Sequence, residues 1–216
     1  MLALFLTVLG LVVVGKVVAQ EECRPQPLGL MDHTIRDWQL AASSVVSRAR
    51  DPDCAVKHAR LFAEGSKAWC PEQRKENEWI LVDLGVQSEI AAIMTQGRDK
   101  RGGRAWVTHY HISYSQDAYR WEWARDIYGD KKVTHQQPAL SLGRNYCIFV
   151  LVQLLSGNTD SHTVKVSYLE HPVTARFLRL HVQAWHNHPS LKMDIIGCQS
   201  RCFIYKEEVG RGWVRG

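Results

Sequence analysis

The sequence predicts an all-β fold, an antiparallel sandwich or barrel. Three observations predict it. No long helical periodicity follows Cys23. Short alternating or apolar runs recur instead, and Gly, Asn, Asp and Ser separate them. Many short strands with turn signals between them indicate a sandwich or a barrel. The chain's 216 residues suit one domain of ordinary size with a real core, plus extras.

The elements follow in order. Residues 1–19 hold a short apolar core, "LALFLTVLGLVVVG", then "VVA" before Gln20. That pattern reads as a cleaved export signal. No Lys or Arg precedes the core and Lys16 follows it, so an uncleaved anchor is the alternative, though the run is marginal for spanning a bilayer. "EWILVDLG" (residues 78–85) and "EIAAIMTQG" (89–97) read as strands, with Trp79, Leu81 and Leu84 filling a sheet. "WVTHYHISYS" (106–115) alternates. Val107, His109, His111 and Ser113 point one way, and Trp106, Thr108, Tyr110, Ile112 and Tyr114 the other. "TVKVSYL", "ARFLRLHV" (175–182) and "SLKMDIIGC" (190–198) complete the set, and in "RFLRL" one Arg is held at the core edge. Of eight Trp residues, Trp69, Trp106, Trp121 and Trp185 are candidates for a small barrel's interior.

Export makes disulfides permissible. The cysteines are Cys23, Cys54, Cys70, Cys147, Cys198 and Cys202, and spacing alone does not choose among their pairings. No Cys/His zinc spacing is present.

The ordered phrases "PLGL", "IRDWQLAASS", "ARL", "GSKAWCPE", "EWILVDLG", "IAAIMTQGRD", "WVTHYHISYSQDAYRW", "GNTD" and "HPVTARFLRLHVQAWHNHPSLKMDIIGC" closely resemble the discoidin, or coagulation factor V/VIII type C, domain family. The resemblance covers residues 23–198, leaving a short tail at 199–216. It implies a distorted jelly-roll barrel of about eight antiparallel strands. It also implies a disulfide closing the domain, here Cys23–Cys198. A closed loop of about 175 residues is worth roughly 5 kcal/mol as an upper figure. "AWCPE" resembles the branches in which this cysteine pairs with one just before the last strand. Near Ser190 there is no such cysteine, so Cys54 is the available partner for Cys70.

No catalytic motif is present: no GxSxG, no HExxH and no glycine-rich phosphate loop. "HNH" (186–188) lacks the ligands of a nuclease, and His109 with His111 reads as part of a solvated sheet face. No acidic cluster compels a calcium site, and no cofactor is implied. Charge is mixed and modest, which argues against a nucleic-acid-binding tail.

The resemblance implies ligand binding through three loops at one end of the barrel. The first, residues 45–58, offers Val45, Val46, Arg48, Arg50 and Lys57. The second, 64–68, offers Lys67 against Glu64. The third, 98–105, offers Arg98, Lys100, Arg101 and Arg104. The first loop's cations exceed Asp51 and Asp53 by one charge, and the third's exceed Asp99 by three. The chain's formal net charge is +5, and loss of residues 1–19 removes Lys16. The loops therefore carry the whole remaining excess.

Membrane-binding members of the family expose Trp or Leu at these tips; here Val45 and Val46 are the apolar offerings. The expected function is a secreted, non-catalytic module for adhesion or matrix attachment. Its partner would be an anionic glycan, a phospholipid surface or an acidic protein face. The alternatives are a domain of a larger receptor ectodomain or multidomain secreted enzyme, and a galactose-type lectin.

"CIFVLVQLL" (147–155) lies within a stretch, residues 134–156, that the family does not need: its motifs stand complete on either side. The expectation is an insertion foreign to the barrel, with Cys147 outside the native disulfides.

Overall fold

The structure, a computed structural model, describes residues 24–126 and 151–199. The proposed export signal, Cys23, Cys147, Cys202 and the tail beyond 199 lie outside them. Among the described residues nine strands run β1 (Gln26–Pro27), β2 (Leu40–Ala42), β3 (Trp79–Gln96), β4 (Arg98–Lys100), β5 (Gly103–Ser115), β6 (Glu122–Trp123), β7 (Leu155–Ser156), β8 (Lys165–His186) and β9 (Lys192–Gln199). Among the described residues there is no α-helix, only two short 3-10 turns. All strand pairings are antiparallel, as the short alternating runs predict.

Two long strands organise everything. β3 and β8 pair from Trp79↔His181 to Thr95↔Lys165. The ladder breaks between Asp83 and Ser88, where Gly85 takes φ +76. A residue with a Cβ meets a steric penalty there, so glycine suits the bend. Before the break β3 pairs with β2, and after it with β9; β8 also pairs with β5. The two halves enclose one core, in which Ile80, Val82, Ile112, Leu178 and Leu180 meet Ile90, Ile93, Met193 and Ile195.

The observed facing differs from expectation at three places. In β3, Ile80, Val82 and Leu84 point inward, while Trp79 and Leu81 lie half-buried on the outer face. In β5, register shifts beside His109 put Val107 into the core together with Tyr110 and Ile112. A bulge inserts one residue and reverses the alternation beyond it. His111 is buried rather than solvated: Trp123 sits edge-on to it, and its Nδ1 lies 2.8 Å from the Gln153 carbonyl oxygen. Trp69 is fully buried, with its Nε1 donating to the Ser44 carbonyl, whereas Trp106, Trp121 and Trp185 are half-buried. Arg179 is the core-edge arginine, stacked between Trp79 and Trp121 at 4.3 and 3.8 Å.

The apolar run's end corrects its reading as foreign. Residues 134–150 lie outside the described residues, but 151–156 belong to the barrel. Val152 bridges to Arg125, β7 pairs with His109 and Tyr110, and Leu155 joins the core. Gln153 anchors the segment: its Nε2 donates to the Tyr168 carbonyl and its Oε1 accepts from the Glu170 amide. The physical reason is ordinary: an apolar residue at this register can cover one end of the core, and Leu155 does.

Candidate functional site

Four segments meet at one end of the barrel: residues 46–54, 70–74, the β4–β5 hairpin, and 187–190 between β8 and β9. They line a cleft of about 530 Å³.

The hairpin is short for a reason legible in its sequence. Arg98 pairs with Ala105 and Lys100 with Gly103, leaving Arg101 and Gly102 as the turn. Gly102 takes φ +92, which glycine permits. A Cβ added at Gly102 or Gly103 would meet no atom within 4 Å. The hairpin backbone is thus open to a ligand.

Asp51 clamps the first and third loops together. Arg98 donates to it at 2.9 Å and Lys100 at 2.7 Å. Arg98 is only 7% exposed, and its Nε also donates to the Ser66 carbonyl, which ties in the second loop. Burial pushes the Asp51 carboxyl up, but the hydrogen bonds from Lys100 and Arg98 outweigh it and hold the group below its ordinary range. The disulfide Cys54–Cys70 forms as expected and lies in the cleft wall, both residues buried. Cys198 is also disulfide-bonded.

The expected site residues separate into two groups. Val46, Arg50, Arg98 and Lys100 line the cleft. Within it Arg98 serves the fold, and Arg50 is ion-paired with Glu72. Val45, Arg48, Lys57, Lys67, Arg101 and Arg104 do not line it. Val45 is 36% exposed, and Arg48, Lys57 and Arg101 are exposed. Lys67 faces Glu64 at 3.6 Å and Arg104 faces Asp99 at 3.9 Å. Exposed pairs of this kind contribute little to stability, but they place an acidic neighbour beside two of the expected cations.

Sequence reasoning missed Glu72, Arg74, Asn187, His188 and Ser190, all of which line the cleft. "HNHPS" was legible as a loop between two strands. Asn187, at φ +59, donates to the Arg104 carbonyl, and His188 Nδ1 lies 2.9 Å from Ser190 Oγ. His186 stacks on Trp106 at 4.0 Å. Burial, then Arg74 and Arg98, push the His188 ring down to about 4, with Asp51 opposing, so it is neutral at pH 7. Among the described residues no three His, Cys, Asp or Glu side chains gather as metal ligands.

The chain can be set beside known proteins at this point. A family model described as "F5/8 type C domain" matches residues 39–195. Lactadherin of Bos taurus is 30% identical over 176 residues, spanning 80% of this chain and 36% of that protein. Coagulation factor VIII of Homo sapiens is 30% identical over 176 residues, spanning 81% of this chain and 6% of that one. The chain therefore spans about a third of lactadherin and a small part of factor VIII. The solved structure of discoidin II from Dictyostelium discoideum matches with a TM-score of 0.52 at 21% identity, covering 75% of this chain and 55% of that one.

Proposed function

Because the chain belongs to the F5/8 type C domain family, we propose that it is a secreted, non-catalytic attachment module that holds an anionic extracellular ligand in the loop-end cleft. The observation carrying this reading is the cleft itself. Loops from four parts of the chain are clamped around it by Asp51 and by a buried disulfide, and the exposed glycine backbone of the hairpin turn forms part of its lining. A preorganised cleft loses less free energy on binding than mobile loops do. Its walls hold four Lys or Arg against Asp51 and Glu72, so the field favours an anion. Residues 1–19 would direct export, and the disulfide fits an oxidising compartment. Within a larger receptor or secreted enzyme the same cleft would serve as the targeting device.

The test is binding of the purified chain to immobilised heparin, to collagen and to phosphatidylserine vesicles over a salt series. We expect salt-sensitive binding to at least one anionic surface. Gly103→Trp, which covers that glycine lining without touching a charge, should weaken it about tenfold or more. Full binding by that variant, or no binding to any of the three, would overturn the reading.

A further inference from the structure

Most of the cleft's charge is already committed: Arg98 and Lys100 to Asp51, and Arg50 to Glu72. Arg74 is different. It lines the cleft, is exposed, and among the described residues makes no ion pair. Its charge acts on His188, a half-buried ring held against Ser190. The charged groups facing His188 are Arg74, Arg98 and Asp51, with Arg50, Lys100 and Glu72 also on the walls.

We propose that a sulfated sugar seats in this cleft with one sulfate between Arg74 and His188, over the open backbone of Gly102 and Gly103. The proposal rests on the cleft being the ligand site. A guanidinium without a partner offers paired, charge-assisted hydrogen bonds to an oxyanion. The site is concave, and its apolar lining is limited to Val46, Ala105 and the disulfide. A bilayer takes an exposed apolar wedge; the exposed Val45 and Phe62 stand outside the cleft lining, so the hollow itself offers none, and a soluble anionic sugar needs a polar hollow.

Proton linkage follows. Without ligand the ring protonates only near pH 4, because burial and two arginines oppose its charge. A sulfate beside it reverses that balance, so the bound ring protonates at higher pH. Between the two values binding takes up a proton, and affinity rises as pH falls. Above the bound value affinity is flat. A sulfate ester stays ionised throughout, so the dependence belongs to the protein. If the bound ring regains its ordinary value of about 6.5, moving from pH 7.5 to 5.5 tightens binding about tenfold.

Calorimetry of the full chain with a heparin-derived tetrasaccharide, at both pH values and fixed ionic strength, tests this. We expect about tenfold tighter binding at pH 5.5 with proton uptake. His188→Gln should give the same affinity at both, and Arg74→Ala should weaken binding about tenfold at each. A pH gain that survives in His188→Gln, or binding indifferent to Arg74→Ala, overturns the proposal. If those variants are indifferent while Gly103→Trp still blocks, the cleft reading stands and only this assignment falls. If the tetrasaccharide does not bind while phosphatidylserine vesicles do, the ligand class is wrong. No binding to either of these or to collagen removes both readings.

Discussion

Among the described residues Arg60, Arg98 and Arg179 are drawn out of bulk water, and the last two are stabilised by opposite means. Arg98, at the cleft end, lies against the Asp51 carboxylate and a backbone carbonyl. Arg179, on the outer sheet face, lies between the rings of Trp79 and Trp121. The first is a desolvated ion pair, whose partner would be left uncompensated if one member were lost. The second is a cation between π faces, half-buried, with its Nε lacking a hydrogen-bond partner. The loops around the cleft are therefore held by a desolvated ion pair, whereas this part of the sheet face is held by stacked side chains.

The largest effect should come from Asp51→Ala. It strands Arg98, which is 7% exposed, and releases Lys100. Loss of one partner of a buried pair costs about 3–5 kcal/mol. Urea unfolding of the full chain measures it. A loss near zero would mean that water reaches Arg98 freely and that the clamp is dispensable.

A smaller effect is expected from Arg179→Met. Methionine keeps the stem between the two indole rings and removes a charge that burial already disfavours. The cation–π gain lost and the desolvation relieved oppose each other, so the net change should be about 1 kcal/mol or less. A loss as large as that of Asp51→Ala would erase the contrast between the two regions.

The contrast also explains what the sequence could and could not reveal. Strand existence was legible from apolar runs, and the chain fold from the order of its motifs. Facing was not legible where every residue is apolar. In "EWILVDLG" both phases of the alternation are plausible, and tertiary packing chose Ile80 and Val82. In β5 a bulge leaves no compositional trace, so Val107 was assigned to the wrong face. Arg98 read as a ligand contact because a charge count ignores pairing. Its partner lies 47 residues away in sequence. In "HNH" the sequence gives no sign that His188 shares a cleft with Arg74, because the cleft is assembled only when the loop before β3 and the loop after β8 arrive together. Leu155 was misjudged because the surrounding stretch looked superfluous, although a two-residue strand at its end closes on the core.

The smallest difference between the two regions should lie in their acid limbs. The hydrogen bonds from Lys100 and Arg98 outweigh burial and hold Asp51 below its ordinary value of 3.8. Asp83 is likewise held down, chiefly by Arg176, against its own burial. A depressed carboxylate contributes stability that is complete above the unfolded value and is lost as pH falls through the folded one. These two carboxylates should therefore cost the wild type stability below about pH 4, on top of the loss from the buried, neutral His181 and His188 that begins nearer 6.5. Arg179 has no carboxylate partner among the described residues, but its charge adds to the burial that holds the His181 ring down at about 3. Arg179→Met relieves part of that, so its profile should decline slightly less steeply than wild type toward pH 3. The Asp51→Ala profile should also decline less steeply, because one carboxylate contributor is already gone while Asp83 remains. Equal slopes in wild type and Asp51→Ala, by urea midpoint at each pH, would show that Asp51 is solvated in the folded chain. The loop end would then owe its geometry to the disulfide rather than to the ion pair.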